Sequence, residues 1–274
     1  LVEKKLKIAI CGDSFGATVS ERSWPSLLQE EYDAEIVCRG EKGWSLFHAY
    51  ERLLENIDGV DYIIFCITDP SRLSSPFKVP ISVGDIYDNK AYEHFDKKKF
   101  HIHKHGIPST RFNAEELRTA IKYYYKMLYD DTYMEIVQKG LLKEIEDVVK
   151  DYKCIFLKSF NTSFPSDYIP KKVVWGNLNL YQDISLKEVG LMSKEEIEFM
   201  GDKGLYFMGD PRLNHINEEN NYNLFSVLRD IIDEDNWDSR EVNMDKYFSH
   251  LDGVTEKQIK NAVNKISKKS RIKH

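Results

Sequence analysis

The run Tyr62-Ile63-Ile64-Phe65-Cys66-Ile67 contains no charged or strongly polar position. Successive side chains of a strand point to opposite faces, so such a run needs apolar cover on both sides, as a central parallel strand has. Two shorter runs precede it, Lys7 to Cys11 and Glu35 to Cys38. Helical spacing separates the three. The first helical pattern gathers Trp24, Leu27 and Leu28, with Pro25 in its first turn and Ser23 placed to cap it. In the second, Leu46, Phe47, Tyr50, Leu53, Leu54 and Ile57 read as one buried stripe. The order β-α-β-α-β predicts an α/β chain: a flavodoxin-like, three-layer α/β/α domain with a parallel sheet and right-handed crossovers.

The same reading continues down the chain. Asn113-x-x-Glu116 is a capping-box signal for a helix with Leu117, Ile121, Tyr124, Tyr125 and Leu128 on one side. A helix from Thr132 to Lys150 follows, with Ile136, Val137, Leu141, Ile145 and Val148 inward. Cys154 to Leu157 predicts a fourth strand and Val173 to Trp175 a short fifth. Ser193-x-x-Glu196 marks another capped helix, and Leu224, Phe225, Leu228, Ile231 and Ile232 form the apolar face of a long one. One domain over residues 1–234 is expected, with an insertion at about 70–131. A helical extension with a basic tail takes up 235–274, and Thr255-x-x-Gln258 opens its last helix. Pro70 to about Thr110 lacks periodicity, and a stretch of that length reads as a lid or substrate-binding insertion.

Composition removes several classes of function. A net charge of -6 gives no electrostatic reason to expect nucleic acid as a partner. No apolar run approaches membrane-spanning length. Leu1-Val2-Glu3-Lys4-Lys5 leads almost directly into the first strand and leaves no room for a signal sequence, so the expectation is a soluble, cytoplasmic protein. Incorporation into a larger particle remains compatible with that. Cys11, Cys38, Cys66 and Cys154 form no C-x-x-C pair and sit in apolar runs, which predicts reduced core cysteines.

In a doubly wound sheet, ligands bind beyond the carboxyl ends of the strands. Ser14, Gly43 and Thr68-Asp69 all follow strands and should meet at that edge. Ile8-Ala9-Ile10-Cys11-Gly12-Asp13-Ser14-Phe15-Gly16 reads as a buried strand delivering a hydroxyl to a sharp turn. Ser14 is the candidate nucleophile; capping or turn formation is the commoner role of a serine there. A neutral hydroxyl needs a base, and His215, just before the long helix, is placed to supply it.

Taken together, the Gly12-Asp13-Ser14 turn, Gly43-Trp44-Ser45, Thr68-Asp69 and the late Asn214-His215 resemble the SGNH (GDSL-type) hydrolase superfamily, over about residues 5–69 and 150–233. A G-x-S-x-G elbow is absent, which argues against an ordinary α/β-hydrolase. The resemblance implies a serine esterase working through an acyl-enzyme. It implies backbone N–H groups of Ser14 and Gly43 as oxyanion donors, joined by a side chain at the place held here by Thr68. The family's triad acid falls at Arg212, so Asp210 is the candidate that orients His215, with a backbone carbonyl as the alternative. Asp13 and Asp69 are read as structural support, Asp13 accepting backbone N–H groups of the turn. Arg72, Arg212 and Asn214 are candidate substrate contacts; exposed salt bridges are the plainer role for the two arginines.

These assignments lead to hydrolysis of a small acyl ester, and the family's habits extend this to an O-acetyl group on a carbohydrate. One rival reading keeps the fold in a binding or structural component of a larger assembly, contacting a protein partner through the insertion or the basic tail. Another places a flavin or a phosphate in the Ser14-to-Ser20 turn. No cofactor or metal is assigned. His101-x-His103-x-His105 would align three imidazoles on an extended segment, but no acid is spaced to complete a metal site. Tyr123-Tyr124-Tyr125 and Trp175 offer a sugar-stacking platform or core packing, and helical spacing favours packing for Tyr124 and Tyr125.

Overall fold

The computed structural model describes residues 5–17, 21–41, 43–74, 114–159, 174–178, 216, 218–235, 237 and 240–247. Six strands lie among these residues: β1 (Lys7–Cys11), β2 (Glu35–Cys38), β3 (Tyr62–Ile67), β4 (Lys153–Lys158), β5 (Val174–Asn177) and β6 (Arg240–Glu241). They lie in the order β2-β1-β3-β4-β5-β6, and every neighbouring pair is parallel. The continuous apolar run is therefore an interior strand, with Ile63 opposite Ala9 on one side and Cys154 on the other. Strand order over β2-β1-β3-β4-β5 is that of a flavodoxin-like fold, and its direction of growth reverses between β1 and β3.

Helices close both faces, as the double-sided burial of β3 requires. Ile8, Ile10, Ile64, Cys66, Ile155 and Leu157 point toward α1 (Trp24–Glu31) and α5 (Glu218–Glu234), meeting Trp24, Leu28, Leu224 and Leu228. Ala9, Cys11, Ile63, Phe65, Cys154 and Phe156 point the other way, toward α2 (Leu46–Asn56) and α4 (Asp131–Val149), meeting Leu53, Leu142, Ile145 and Val149. Each fully buried Ile, Leu or Phe contributes on the order of 1.5–3 kcal/mol of transfer free energy. The three-layer α/β/α architecture thus follows from the period-two pattern of the strands.

Several helix faces differ from their sequence expectations. In α2 the buried apolar positions are Leu46, Ala49 and Leu53, while Phe47 and Leu54 are exposed, one residue step or about 100° around the helix. In α4 the buried line is Gln138, Leu142, Ile145 and Val149; Ile136 and Val137 are exposed. The α3 helix (Ala114–Tyr123) passes into a π-helical turn, Tyr124–Leu128, closed by the bond from Tyr129 N to Tyr124 O at 2.8 Å. That wider turn breaks the 3.6-residue phase and leaves Leu128 74% exposed. Ser23 does hold the N-cap position of α1, but without a side-chain capping bond; its hydroxyl meets that of Ser26 at 3.2 Å.

The sheet also continues past residue 234. β6 pairs with β5, and Met244 is buried against Gly176, where an added Cβ would overlap its methyl group. Part of the stretch expected as a helical extension is therefore core. The capped helix at Ser193, the helix opened by Thr255, the basic tail and most of the insertion, 75–113, lie outside the described residues.

Candidate active site

β1 ends in a turn that only glycine can open. Gly12 has φ +139°, and a Cβ there would stand 2.5 Å from Cys66 Cβ and 2.7 Å from Cys66 O. The backbone of β1 thereby crosses hard against the end of β3 before reversing. Asp13 caps the single 3-10 turn Ser14–Gly16, its Oδ1 accepting from Phe15 N at 3.1 Å, while Gly16 N donates to Asp13 O at 3.0 Å. Ser14 opens this turn and is 5% exposed.

The loop after β2 seals the turn from the second strand. Gly40 N donates to Gly16 O and Glu41 N to Gly12 O, both at 3.2 Å. A Cβ at Gly40 would collide with Asp13 O and the backbone of Gly16. Gly43 follows with φ +77°, which turns the chain toward α2. Ser45 then caps α2, accepting from His48 N at 3.3 Å.

From the third strand comes an ion pair. Asp13 Oδ2 accepts from Thr68 Oγ1 at 2.9 Å and from Arg72 Nη1 at 2.7 Å. The Asp13 side chain has no exposure and that of Arg72 has 12%. A buried charge persists only when paired and hydrogen-bonded, and this carboxylate receives a guanidinium, a hydroxyl and a backbone N–H. The same guanidinium nitrogen donates to Trp44 O at 3.3 Å, joining the β2 loop to the arrangement. Thr68 has one hydroxyl proton, and it points at Asp13.

The loop carrying Arg72 is braced from below and from the side. Asp69 Oδ1 accepts from Ser71 N at 2.7 Å, and Arg72 N donates to Asp69 O at 3.2 Å. Gln138 Nε2 reaches up from α4 to Thr68 O at 2.7 Å. Tyr125 OH donates to Ser71 O at 2.6 Å from the π-helical turn, with Tyr124 and Tyr129 rings 5.5 and 5.2 Å from its own. These tyrosines act as packing and as a brace on the loop. Burial pushes the Cys66 thiol pKa well up, and the Asp13 carboxylate adds to that shift.

On the opposite face, α1 and α5 connect the turn to the start of the long helix. Trp24 Nε1 donates to Phe15 O at 2.8 Å. Trp24 N donates to Asn221 Oδ1 at 3.2 Å, and Asn221 Nδ2 donates to Ile216 O at 3.1 Å. Ile216, the residue that follows His215 in sequence, is buried.

The structure thus brings together Asp13, Ser14, Gly43, Thr68, Asp69 and Arg72 at the carboxyl edge of β1 to β3. Asp210, Arg212, Asn214, His215 and the triplet His101, His103 and His105 lie outside the described residues, as does the side chain of Trp175. Among the described residues no group of His, Cys, Asp and Glu is arranged to hold a metal ion, and no helix is long and apolar enough to cross a membrane. Sequence reasoning missed Gly40, Gln138 and Asn221. Gly40, two residues past the end of β2, was a visible signal. Gln138 occupied a helical position in line with Leu142 and Ile145, where its polarity disguised it.

No protein-family model matches the chain, and no curated protein matches it. Among solved structures it is similar to the acetyl xylan esterase AlAXEase, with 13% identity and a TM-score of 0.36 over 83% of this chain and 100% of that one. It is also similar to a protein assigned to the G-D-S-L lipolytic family from Desulfitobacterium hafniense DCB-2, with 13% identity and a TM-score of 0.34 over 82% and 98% of the two chains. The topology above stands on the chain's own strand pairing.

Proposed function

We propose that the protein is a serine-dependent hydrolase of small acyl esters, of the SGNH type, with Ser14 as nucleophile and His215 as base. One observation carries the proposal. A relay of hydrogen bonds runs from Phe15 O through Trp24 and Asn221 to Ile216 O, so the residue after Ser14 and the residue after His215 are tied to the same two helix ends.

In the proposed reaction, His215 takes the Ser14 proton as Oγ attacks the acyl carbon, and Asp210 orients the imidazole. Backbone N–H groups of Ser14 and Gly43 receive the oxyanion of the tetrahedral intermediate. The intermediate collapses as His215 returns the proton to the departing alcohol. Water, deprotonated by the same imidazole, then releases the acid and frees Ser14. Thr68 takes a different part from the one its alignment implied. Its hydroxyl holds Asp13 in place, and Asp13 shapes the turn that presents Ser14. Arg72 likewise serves Asp13 in place of a substrate anion. The substrate class we propose is a small ester such as an O-acetyl group on a carbohydrate.

A non-catalytic binding role is favoured by one feature, the direction of the Thr68 hydroxyl, which leaves the oxyanion without a side-chain donor from that position. Hydrolysis of p-nitrophenyl acetate separates the two readings. The enzyme reading expects Ser14→Ala and His215→Gln to lose the rate by orders of magnitude; equal rates in wild type and Ser14→Ala would sink it.

A further inference from the structure

Two of the four cysteines, all of them free thiols, are in contact: Cys11 Sγ and Cys38 Sγ are 3.0 Å apart, both buried. Strand alternation alone would not bring them together. Lys7 pairs with Glu35 and Ile8 with Ile36, but the register then slips, so that Ala9 faces Cys38. A one-residue slip moves a side chain to the other face of a sheet. Here it moves Cys38 to the face shared by Ala9 and Cys11, beneath α2 and α4. Among the described residues β2 ends the sheet on its side and pairs with β1 alone, so Cys38 lies on an edge strand.

We propose that Cys11 and Cys38 are a peroxide-sensitive redox pair, whose oxidation converts the thiol contact into a disulfide joining β1 to the edge strand β2 at the root of the Ser14 turn. The sulfurs have about 1 Å to close to reach the disulfide bond length of about 2.05 Å. Cys38 is the attacking sulfur. It lies on the edge strand and is the more exposed of the two, 4% against 1%; the contact with Cys11 and the charge of Arg52 lower its pKa against the opposing effect of burial, while the same contact and burial raise that of Cys11. Cys66 and Cys154 are pushed up, chiefly by burial.

The Cys38 thiolate attacks one oxygen of the peroxide and breaks the O–O bond, which gives a sulfenic acid and hydroxide. The Cys11 sulfur then displaces the sulfenic hydroxyl, and its own proton leaves with that hydroxyl as water. The first hydroxide combines with the proton lost earlier from Cys38. In sum, two thiols are oxidised and one peroxide is reduced to two waters. The new bond would lie directly before Gly12-Asp13-Ser14 and two residues before Gly40, whose N–H holds Gly16 O.

The test is covalent and does not depend on the ester-hydrolase reading. The reduced full chain is treated with hydrogen peroxide, denatured, alkylated and mapped by peptide mass. The expected result is loss of two of the four alkylatable thiols, a Cys11–Cys38 crosslinked peptide, and recovery of both thiols with dithiothreitol. Cys154→Ala should keep the crosslink and Cys38→Ser should lose it; if the latter variant does not fold, the wild-type map decides alone. Four alkylated thiols after peroxide, a crosslink between other cysteines, or over-oxidised Cys38 without a crosslink would each overturn the proposal.

Discussion

Arg72 Nη1 stands 2.7 Å from Asp13 Oδ2, and this pair fastens the loop after β3 to the turn after β1. Asp13 is wholly buried, and its carboxyl oxygens are met by the guanidinium and by two other donors. Removing one partner of such a pair costs far more than the pair's net stabilisation, because the remaining charge stays out of water.

Arg72→Met is therefore expected to destabilise the fold by about 3–5 kcal/mol. Urea unfolding measures this. An unchanged midpoint together with a raised KM for an anionic ester would instead make Arg72 a substrate-binding residue.

Gly12→Ala and Gly59→Ala form a paired comparison. Both sites have positive φ, but a Cβ at Gly12 meets Cys66 at 2.5 Å, while nothing lies within 4 Å of one at Gly59. Gly59→Ala should cost about 1–2 kcal/mol from backbone conformation alone. Gly12→Ala should cost clearly more, read as the larger fall in thermal midpoint.

Thr68→Val separates support from catalysis. Loss of an oxyanion donor costs about a hundred- to a thousandfold in rate. Since the Thr68 proton points at Asp13, the variant should keep ester hydrolysis within about tenfold of wild type. It should also lose about 1–3 kcal/mol of stability by removing a donor from a buried carboxylate. A thousandfold loss of kcat at unchanged stability would return Thr68 to the oxyanion site.

Tyr32 supplies a pH-dependent term. Burial, and then its hydrogen bond to Asp233 at 2.7 Å, raise the phenol pKa above its ordinary value. The folded chain holds this proton more tightly than the unfolded one, so the stabilisation is complete below about pH 10 and is lost as pH rises beyond it. Unfolding free energy should fall more steeply above that pH in wild type than in Tyr32→Phe. Parallel curves would contradict the assignment.

The parts of this molecule written in local periodicity were readable from sequence. The apolar runs of β1 and β3 each declare that both sides must be covered, the face of α5 declares which of its sides is inward, and together they locate the switch point where Ser14 sits. Features set by distant partners were not readable. Asp13 meets Thr68 and Arg72 across 55 and 59 residues. The π-helical turn at Tyr124–Leu128 has no place in a 3.6-residue pattern, so Leu128 was misassigned to the interior. Gln138 faces inward because Thr68 O needs a donor, a requirement that exists only once β3 and α4 are packed. Met244 is core because β6 adds an edge to the sheet, and two residues are too short a strand to carry a pattern.

The most direct test of the central claim is labelling of the full chain with a fluorophosphonate probe, mapped by peptide mass spectrometry. An activated Ser14 predicts stoichiometric modification at Ser14, abolished in Ser14→Ala and strongly slowed in His215→Gln. No modification of the folded protein, or modification at another residue, would contradict it.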